Sequence, residues 1–428
     1  MRVLILSNEV WNDKINGNNV TSNWFEGMNA EFANIYCEPG APYNKCCRKY
    51  FQITDMMMFK SLFTKEKAGK SVDYQDELDY FSNNTAEQAP KRLYECLRKI
   101  SGSFLRLVRE LLWIFGKYDR KKINQFITTF QPDVIFSERM ASCKMLRLEK
   151  IVHSMSKAPF YAFTGDDEYS LKQLSFSPFF WINRFMVRRR FRCNIKFYKI
   201  YYTLSIEQAE YYERIFNCKC KVLQKCGEFS DDFCQKDIHK PIKIVYAGKF
   251  YCNRWKVLAE IVKAISVINQ DEQKITLQIF TKDIPNKRQK ALLDDGINSI
   301  IMGAVSQVEL IDRYKDADIA IHVESRDIKN RLITKYSYST KIVDCLFSGC
   351  AVLAFCWKKH SGLTSLKKEE AALCVSTYEE LVNSLEELVK TPEMLKKYQE
   401  DAYNAGVKFH NRKKVQEMLL NDFCEYNR

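Results

Sequence analysis

Short apolar runs alternate along this chain with longer stretches in which hydrophobic residues recur at helical spacing. RVLILS at 2–7 and IKIVYA at 242–247 each predict a buried strand, and each is followed by a polar loop and then by helical periodicity. Each therefore has the pattern of the first βα unit of a doubly wound sheet. The pattern predicts the α/β class, with two domains that each contain a parallel sheet covered by helices.

The remaining elements follow the same alternation. In the second half we predict strands at 274–280, 317–323, 350–355 and 371–376, and helices at 308–315, 341–347, 377–390 and 393–405. In the first half we predict strands at 132–137, 159–164 and 199–205. The polar segment 217–241 separates the halves, so we expect one domain at 1–225 and another at 226–407. A last helix at 408–428 is expected to return to the first domain.

Composition is consistent with a two-domain cytoplasmic protein. The chain has 428 residues, of which 46% are hydrophobic, and it contains no apolar run long enough to cross a membrane. Its 16 cysteines are scattered, which is typical of reduced thiols. One cluster, Cys218, Cys220, Cys226 and Cys234, matches no standard zinc spacing, so no metal site is predicted.

The net charge of +14 indicates a polyanionic partner or surface. No helix-turn-helix, zinc finger or aromatic RNA-binding signature is visible, so nucleic acid is not the expected partner. Two basic amphipathic segments, 91–122 and 184–199, favour an anionic membrane surface instead. Each could equally be a core-packed helix with a solvated basic face.

The segment 336–354 predicts a capped helix followed by a tight turn and a buried strand. Ser339, Thr340 and Lys341 open the helix, where unpaired backbone N–H groups favour an anion. Asp344 lies one turn further on the same face, where a carboxylate would suit ribose hydroxyls. The purely structural alternative is an ordinary capped helix before a core strand.

A second cationic group follows the strand at 242–247. Gly248 lets a backbone approach a ligand, and Lys249 and Arg254 would neutralise a diphosphate. Two solvated surface cations would give the same pattern. However, the carboxyl ends of parallel strands meet at one edge of a sheet, so this loop and Thr340 are expected to lie close together.

Asp166 and Asp167 follow a predicted buried strand in the first half. Adjacent carboxylates at such a position are unfavourable unless they are solvated, paired or used in chemistry. They are candidates for orienting or deprotonating an acceptor hydroxyl. They could instead cap a helix that begins at Glu168.

The second half, taken together, resembles the donor half of glycosyltransferase family 4, a group of GT-B nucleotide-sugar transferases. The residues that carry the resemblance are Gly248, Lys249, Arg254, Glu324, Ser325, Ser339, Thr340, Lys341, Asp344 and Gly349. In the family the cations after the first strand are Arg and then Lys, whereas here Lys249 precedes Arg254. Asp344 matches the second Glu of a Glu-x7-Glu element and is expected to hold the ribose. Tyr336 stands where the first Glu is expected, and Glu324 is an alternative carboxylate for the sugar.

The resemblance implies two Rossmann-like domains facing a cleft, with the acceptor on the first and the nucleotide sugar on the second. The loop bearing Gly17, Asn18 and Asn19 is expected near the donor phosphate. It further implies a retaining, metal-independent hexosyltransferase without a cofactor. The expected acceptor is a glycan or polyprenyl-linked molecule, as in bacterial surface polysaccharide synthesis at the inner face of the cell membrane.

Two other functions fit parts of the sequence. A sugar-nucleotide 2-epimerase of the same fold would keep the donor site, although the strongly basic first half argues against it. A non-enzymatic basic protein that binds nucleic acid or membrane would keep only the shell of the fold.

Overall fold

The computed structural model describes residues 1–14, 20–74, 102–139, 142–167, 169–229 and 233–426. The chain divides into two compact units. Unit 1 comprises Met1–Leu223 and Val415–Arg428, and unit 2 comprises Gln224–Lys414. These divisions lie near the boundaries expected at 225/226 and 407/408. Each unit is an α/β structure with its own sheet, as the sequence predicts.

Unit 1 is built on a mostly parallel sheet. Its strands are β1 (Arg2–Ser7), β2 (Glu31–Tyr36), β3 (Cys47–Gln52), β4 (Lys70–Asp73), β5 (Val134–Arg139), β6 (Phe160–Thr164), β7 (Tyr198–Thr203) and β8 (Cys220–Val222). In the described residues their order is β4-β3-β2-β1-β5-β6-β7-β8, and β3 and β4 are the antiparallel pair. The apolar run at 3–6 in β1 is fully buried, as expected for a strand covered on both faces.

Helices cover this sheet. They are α1 (Val20–Phe25), α2 (Asp55–Phe63), α3 (Gly102–Phe115), α4 (Arg120–Phe130), α5 (Cys143–His153), α6 (Pro178–Asn194) and α7 (Ile206–Phe216). Asp119, Ser142, Ser177 and Ser205 cap α4 to α7 by accepting a backbone N–H bond.

The end of the chain also belongs to unit 1. The last helix, α16 (Arg412–Glu425), carries Asp422, whose carbonyl accepts a 2.8 Å bond from the Tyr161 hydroxyl. The Asp422 carboxylate accepts a second 2.8 Å bond from Tyr202. Both tyrosines lie on strands of the unit 1 sheet, so these bonds fix the helix to it.

Unit 2 has a parallel sheet. Its strands are β9 (Ile242–Ala247), β10 (Ile275–Phe280), β11 (Ser299–Gly303), β12 (Ile319–Val323), β13 (Ala351–Phe355) and β14 (Leu373–Val375). Its helices are α8 (Arg254–Ile268), α9 (Lys287–Leu293), α10 (Gln307–Lys315), α11 (Ile328–Thr334), α12 (Thr340–Phe347), α13 (Ser361–Lys368), α14 (Tyr378–Lys390) and α15 (Met394–Phe409). The predicted strands and helices of this half are confirmed, with ends that differ by a few residues.

The strand order of unit 2 decides where a ligand can bind. Across its described strands the order is β11-β10-β9-β12-β13-β14, so the chain moves outwards from β9 in one direction and then resumes on its other side at β12. Loops after β9 and β12 therefore diverge and leave a crevice at the carboxyl ends of these two strands. Unit 1 has the same arrangement around β1 and β5.

Candidate functional site

The crevice of unit 2 contains a buried ion pair. Arg254 begins α8 after the β9 loop, and Glu324 directly follows β12. The Arg254 Nε lies 3.1 Å from Oε2 of Glu324, and Nη2 donates a second bond to Oε1. Glu324 is completely buried. This two-bond geometry fixes the plane of the guanidinium.

Both partners remain charged. Burial alone would raise the pKa of the Glu324 carboxyl, but the adjacent Arg254 guanidinium holds it below its usual value. For Arg254, burial acts to lower the pKa, and Glu324 more than reverses this effect. The pair therefore persists across the physiological pH range.

Lys341 supplies a second cation beside this pair. A Cβ atom placed on Gly248 would lie 2.0 Å from Lys341 Nζ and 2.7 Å from the Tyr246 hydroxyl, so the ammonium rests directly on the glycine. Burial, and then repulsion by Arg254, lower the pKa of Lys341 to about 8. Glu324 neutralises the charge of Arg254. The three side chains together therefore carry a net positive charge, that of Lys341, which a bound anion would balance.

The loop between β9 and α8 leaves backbone donors available. Cys252 and Asn253 both have left-handed backbone angles, with φ of 54° and 61°. Asn253 makes no side-chain cap on α8, so within the described chain the first N–H groups of this helix lack the usual side-chain acceptor. Lys249 is exposed on the same loop. The arrangement suits a bound phosphate at the helix start.

The start of α12 is placed at the same sheet edge. Ser339 is its N-cap, and its hydroxyl accepts from the Lys341 N–H at 3.4 Å. Thr340 is the first helical residue and is half-buried. Asp344 forms an ion pair with Lys225, which precedes β9 in unit 2. Its carboxylate is one-third exposed and so retains acceptor capacity for a ribose hydroxyl.

Two other residues that the resemblance brought into question, Ser325 and Tyr336, have structural partners. The Ser325 hydroxyl donates to Asp327 at 2.6 Å, and Asp327 caps α11 by accepting from Asn330 N–H. Tyr336, at the position where the resemblance expects a carboxylate, is buried beneath Lys335, whose Nζ lies 4.8 Å from the ring centroid. Glu324 directly follows β12 and bonds to Arg254, so it is the carboxylate that the structure places in the crevice of unit 2.

One cluster of possible metal ligands was not anticipated from the sequence. His322, Cys356 and His360 are buried, and one donor atom from each lies within 4.8 Å of the others. However, Nδ1 of His360 already accepts the Gly362 N–H at 3.1 Å and caps α13. Burial also lowers the pKa of His322 to about 3, so its ring is neutral. Because His360 is already engaged in this cap, no metal is assigned to the three residues.

The candidate acidic residues of unit 1 differ in their surroundings. Asp166 is exposed beyond the end of β6, although desolvation and the neighbouring Asp167 raise the pKa of its carboxyl. Asp167 is buried, and its carboxylate accepts N–H bonds from Tyr169 and Ser170. It therefore fixes a turn, which leaves Asp166 as the accessible carboxylate of the two.

Glu138 is a further carboxylate at the crevice of unit 1. It lies near the end of β5, paired in register with Ser7 of β1. Its carboxylate accepts a 2.6 Å bond from the Thr21 hydroxyl. Burial raises the pKa of this carboxyl above its usual value. Gly17, Asn18 and Asn19, the predicted donor-side loop, lie outside the described residues.

The basic segment 184–199 matches the core-packed alternative that the sequence left open. In 184–199, Val187, Phe191 and Ile195 are buried in the core of unit 1. Arg188 stacks on Tyr169, with its guanidinium carbon 3.9 Å from the ring centroid. This segment is therefore largely a core-packed helix with a basic outer face. Of 91–122, the part at 91–101 lies outside the described residues.

The fold of the whole chain is that of the GT-B glycosyltransferases. Sucrose-phosphate synthase from Thermosynechococcus elongatus superposes with a TM-score of 0.61 over 99% of this chain and 98% of its own, at 10% identity. The Anabaena protein HepE in complex with UDP has a TM-score of 0.60 over 99% and 100%, at 11% identity. An alpha,alpha-trehalose-phosphate synthase (UDP-forming) from Burkholderia xenovorans has a TM-score of 0.56 over 99% and 100%, at 9% identity. No protein-family model and no curated protein sequence matches this chain.

Proposed function

We propose that the protein is a glycosyltransferase that moves a sugar from a nucleotide-diphosphate sugar to a glycan or lipid-linked acceptor. The observation that carries this proposal is the meeting of Arg254 and Lys341 at the crevice of the unit 2 sheet. The two cations and the single carboxylate of Glu324 leave a net positive charge at the crevice. Doubly wound parallel sheets bind their ligands at this place. The GT-B fold of the entire chain supports the same conclusion.

The donor diphosphate would be held without a metal ion. The Lys341 ammonium, the exposed Lys249 and the N–H groups at the start of α8 would surround the phosphates, while Glu324 keeps Arg254 in a fixed orientation. Negative charge grows on the diphosphate as the glycosidic bond to it breaks. Preorganised cations and backbone dipoles stabilise that charge more in the transition state than in the bound donor. Asp344 would accept the ribose hydroxyls.

Solved relatives of the same fold support UDP as the nucleotide. HepE is known with UDP, with UDP and glucose, and with UDP-glucose. The Burkholderia trehalose-phosphate synthase is described as UDP-forming. A UDP-hexose is accordingly the first donor to test for this chain.

Unit 1 would bind the acceptor. Asp166 is accessible and its carboxyl has a raised pKa, which brings it nearer to the range in which a carboxylate accepts a proton efficiently. It is our candidate for orienting or deprotonating the acceptor hydroxyl, with Asp167 holding the turn that presents it. By resemblance, the reaction retains the anomeric configuration and serves surface polysaccharide synthesis at the cytoplasmic face of the membrane.

The test is a panel of nucleotide sugars assayed for thermal stabilisation and for donor hydrolysis. We expect one donor class to stabilise the wild type and to release its nucleoside diphosphate. Lys249→Ala with Arg254→Ala should remove both effects. Lys290→Ala with Arg313→Ala, two exposed positions on α9 and α10 of the same unit, is the matched control.

Two outcomes would reject the proposal, and a third would reject the assigned site. Stabilisation by none of the donors would favour a non-enzymatic binding protein. Interconversion of the donor sugar without transfer to water or acceptor would indicate a 2-epimerase. Equal loss of activity in the control pair would remove the assigned role of Lys249 and Arg254.

A further inference from the structure

The α3 helix of unit 1 presents an apolar stripe to solvent. Phe104, Val108, Leu111 and Phe115 recur at the spacing i, i+4, i+7 and i+11, and all four are exposed. The opposite side of the helix buries Glu110 and Trp113. Trp113 belongs to the core of unit 1, so α3 is apolar on its outer face as well as its inner one, whereas an ordinary surface helix is polar on the outside.

The two helices that pack against α3 extend this apolar area. On one side is α2, whose Ser61 hydroxyl accepts the Lys117 N–H at 2.9 Å. On the other side is α6, where Phe179 meets Phe104 with ring centroids 5.1 Å apart. We call the exposed apolar residues of α2, α3, α6 and the segment just before α6 the apolar surface: Met56, Phe59, Leu62, Phe63, Phe104, Val108, Leu111, Phe115, Leu171, Leu174, Phe176, Ile182 and Phe185.

Several of these side chains project well clear of the protein. Phe63 is 75% exposed, Phe115 is 67% exposed, and Phe176 is fully exposed in the loop before α6. Single exposed apolar residues are common, but a contiguous group of large ones marks a surface that contacts another apolar phase.

The charges around the apolar surface are one-sided. Lys60, Arg106, Lys172 and Arg189 are exposed on the same elements. The acidic residues of α2 and α3 are turned inwards, since Asp55 accepts the Trp113 indole N–H and Glu110 is buried. The segment 169–194 contains no acidic residue. Projecting phenylalanines among basic side chains complement an anionic lipid headgroup layer above an acyl interior.

We propose that the apolar surface docks unit 1 onto an anionic membrane, with the phenylalanines inserted at the headgroup–acyl boundary. Within the described ranges, none of the helices has the length and apolarity of a membrane span, so the attachment would be peripheral. This places the contact on α2, α3 and the segment 171–185. In 184–199, the segment predicted from sequence, Val187, Phe191 and Ile195 are buried, and only Phe185 at its start contributes to the apolar surface. The proposed membrane contact does not depend on the donor site. Its role in bringing a lipid-linked acceptor to the enzyme rests on the proposed function.

The test is co-sedimentation of the full chain with phosphatidylcholine vesicles, with and without phosphatidylglycerol. The variant Phe63→Ser, Phe115→Ser, Phe176→Ser removes the three most projecting residues of the apolar surface. Its control is Ile297→Ser, Val308→Ser, Ile311→Ser, three exposed positions of unit 2. We expect the wild type and the control to bind anionic vesicles and the variant to partition about tenfold or more weakly.

A second variant separates the apolar and electrostatic contributions. Lys60→Gln, Arg106→Gln, Lys172→Gln should weaken binding to anionic vesicles strongly and leave any binding to pure phosphatidylcholine unchanged. The proposal is wrong if the wild type does not bind anionic vesicles or if the phenylalanine variant binds them as tightly as the wild type does. It is also wrong if that variant changes only the oligomeric state measured by light scattering, since the occupant would then be a second copy.

Donor binding distinguishes the failure of this proposal from failure of the transferase proposal. The phenylalanine and cation variants lie in unit 1, and the control positions lie on α10 and just before β11 rather than on the elements that carry Lys341 and Arg254. Stabilisation by a nucleotide sugar should therefore be the same in each of them as in the wild type.

Discussion

Arg254 and Glu324 form a buried, two-bond ion pair that joins the loops following β9 and β12. These two strands are adjacent in the sheet but distant in the sequence, and the chain changes direction between them. A buried pair of this kind contributes modestly to stability, because desolvation offsets much of the attraction. Its clearer effect is to fix a guanidinium in one orientation at the crevice of unit 2.

Removing one partner of this pair should be strongly destabilising. Glu324→Ala leaves the Arg254 charge buried and unpaired, so we expect the free energy of unfolding to fall by about 3–5 kcal/mol. The double variant Glu324→Ala, Arg254→Met should recover much of that loss, because no uncompensated charge remains. Urea unfolding of the two single variants and the double variant measures the coupling. Additive losses would show that the two residues do not act as a pair.

Gly248 tests the packing of Lys341. In Gly248→Ala the new methyl group would meet Lys341 Nζ and the Tyr246 hydroxyl, both of which are ends of side chains that can move. We expect the fold to persist while the donor KM rises by about tenfold or more, because the ammonium is displaced. Gly102→Ala is the control, since a Cβ there meets no atom within 4 Å. An unchanged KM in Gly248→Ala would contradict the assigned position of the ammonium.

Lys341 should make donor binding depend on pH. Its pKa in the ligand-free protein is lowered to about 8 by burial and by Arg254. A bound diphosphate favours the protonated form and raises that pKa, so binding takes up a proton above pH 8. Affinity should therefore fall by up to about tenfold per pH unit as the pH rises above 8. Titration calorimetry between pH 7 and about 9.5 measures this slope, which Lys341→Met should remove.

Two buried histidines should weaken unit 2 in acid. Burial lowers the pKa of His322 to about 3 and that of His410 to about 4. In the unfolded chain both titrate near pH 6.5, so the unfolded state takes up protons first as the pH falls. Their stabilising effect is complete above pH 6.5 and declines by up to about 1.4 kcal/mol per pH unit for each histidine below it. Urea unfolding of the wild type and His410→Gln between pH 7 and about 4.5 should show a smaller slope in the variant. Equal slopes would contradict this origin.

The sequence predicted the architecture well because that information is local. Alternating apolar runs and helical periodicity identified β9, β10, β12, β13 and β14 but not β11, and Ser339 was among the residues expected to open α12. The sequence also predicted that the loop at Gly248 and the helix start at Lys341 lie close together, because the carboxyl ends of parallel strands meet at one edge of a sheet. Their direct contact depends on side-chain packing, which periodicity does not report.

The sequence did not predict which residues that are distant along the chain form hydrogen bonds or ion pairs. Glu324 was considered for the sugar, and its bonds to Arg254 became apparent only with the strand order. The partner of Asp344 is Lys225, which lies in the polar segment assigned to a linker. Asp167 looked equivalent to Asp166 in the sequence, and only the backbone turn separates the bonded carboxylate from the exposed one.

The amphipathic segments show why composition alone misplaces a surface. Basic and apolar residues interleave in 184–199 much as they do in α3, yet Val187 and Phe191 face the core while Val108 and Phe115 face solvent. Which face is buried depends on the neighbouring elements, since α6 lies against the hydrophobic core of unit 1 and α3 turns its polar Glu110 inwards.

The most direct test of the donor site compares equilibrium binding of UDP, UMP and uridine to the wild type and to Lys341→Met. If Lys341, Arg254 and the start of α8 hold a diphosphate, UDP should bind the wild type at least about tenfold more tightly than UMP, and UMP more tightly than uridine. In Lys341→Met that order should collapse towards the affinity of uridine. Equal affinity of the wild type for the three ligands, or an unchanged order in the variant, would contradict the assignment of unit 2 as the donor domain.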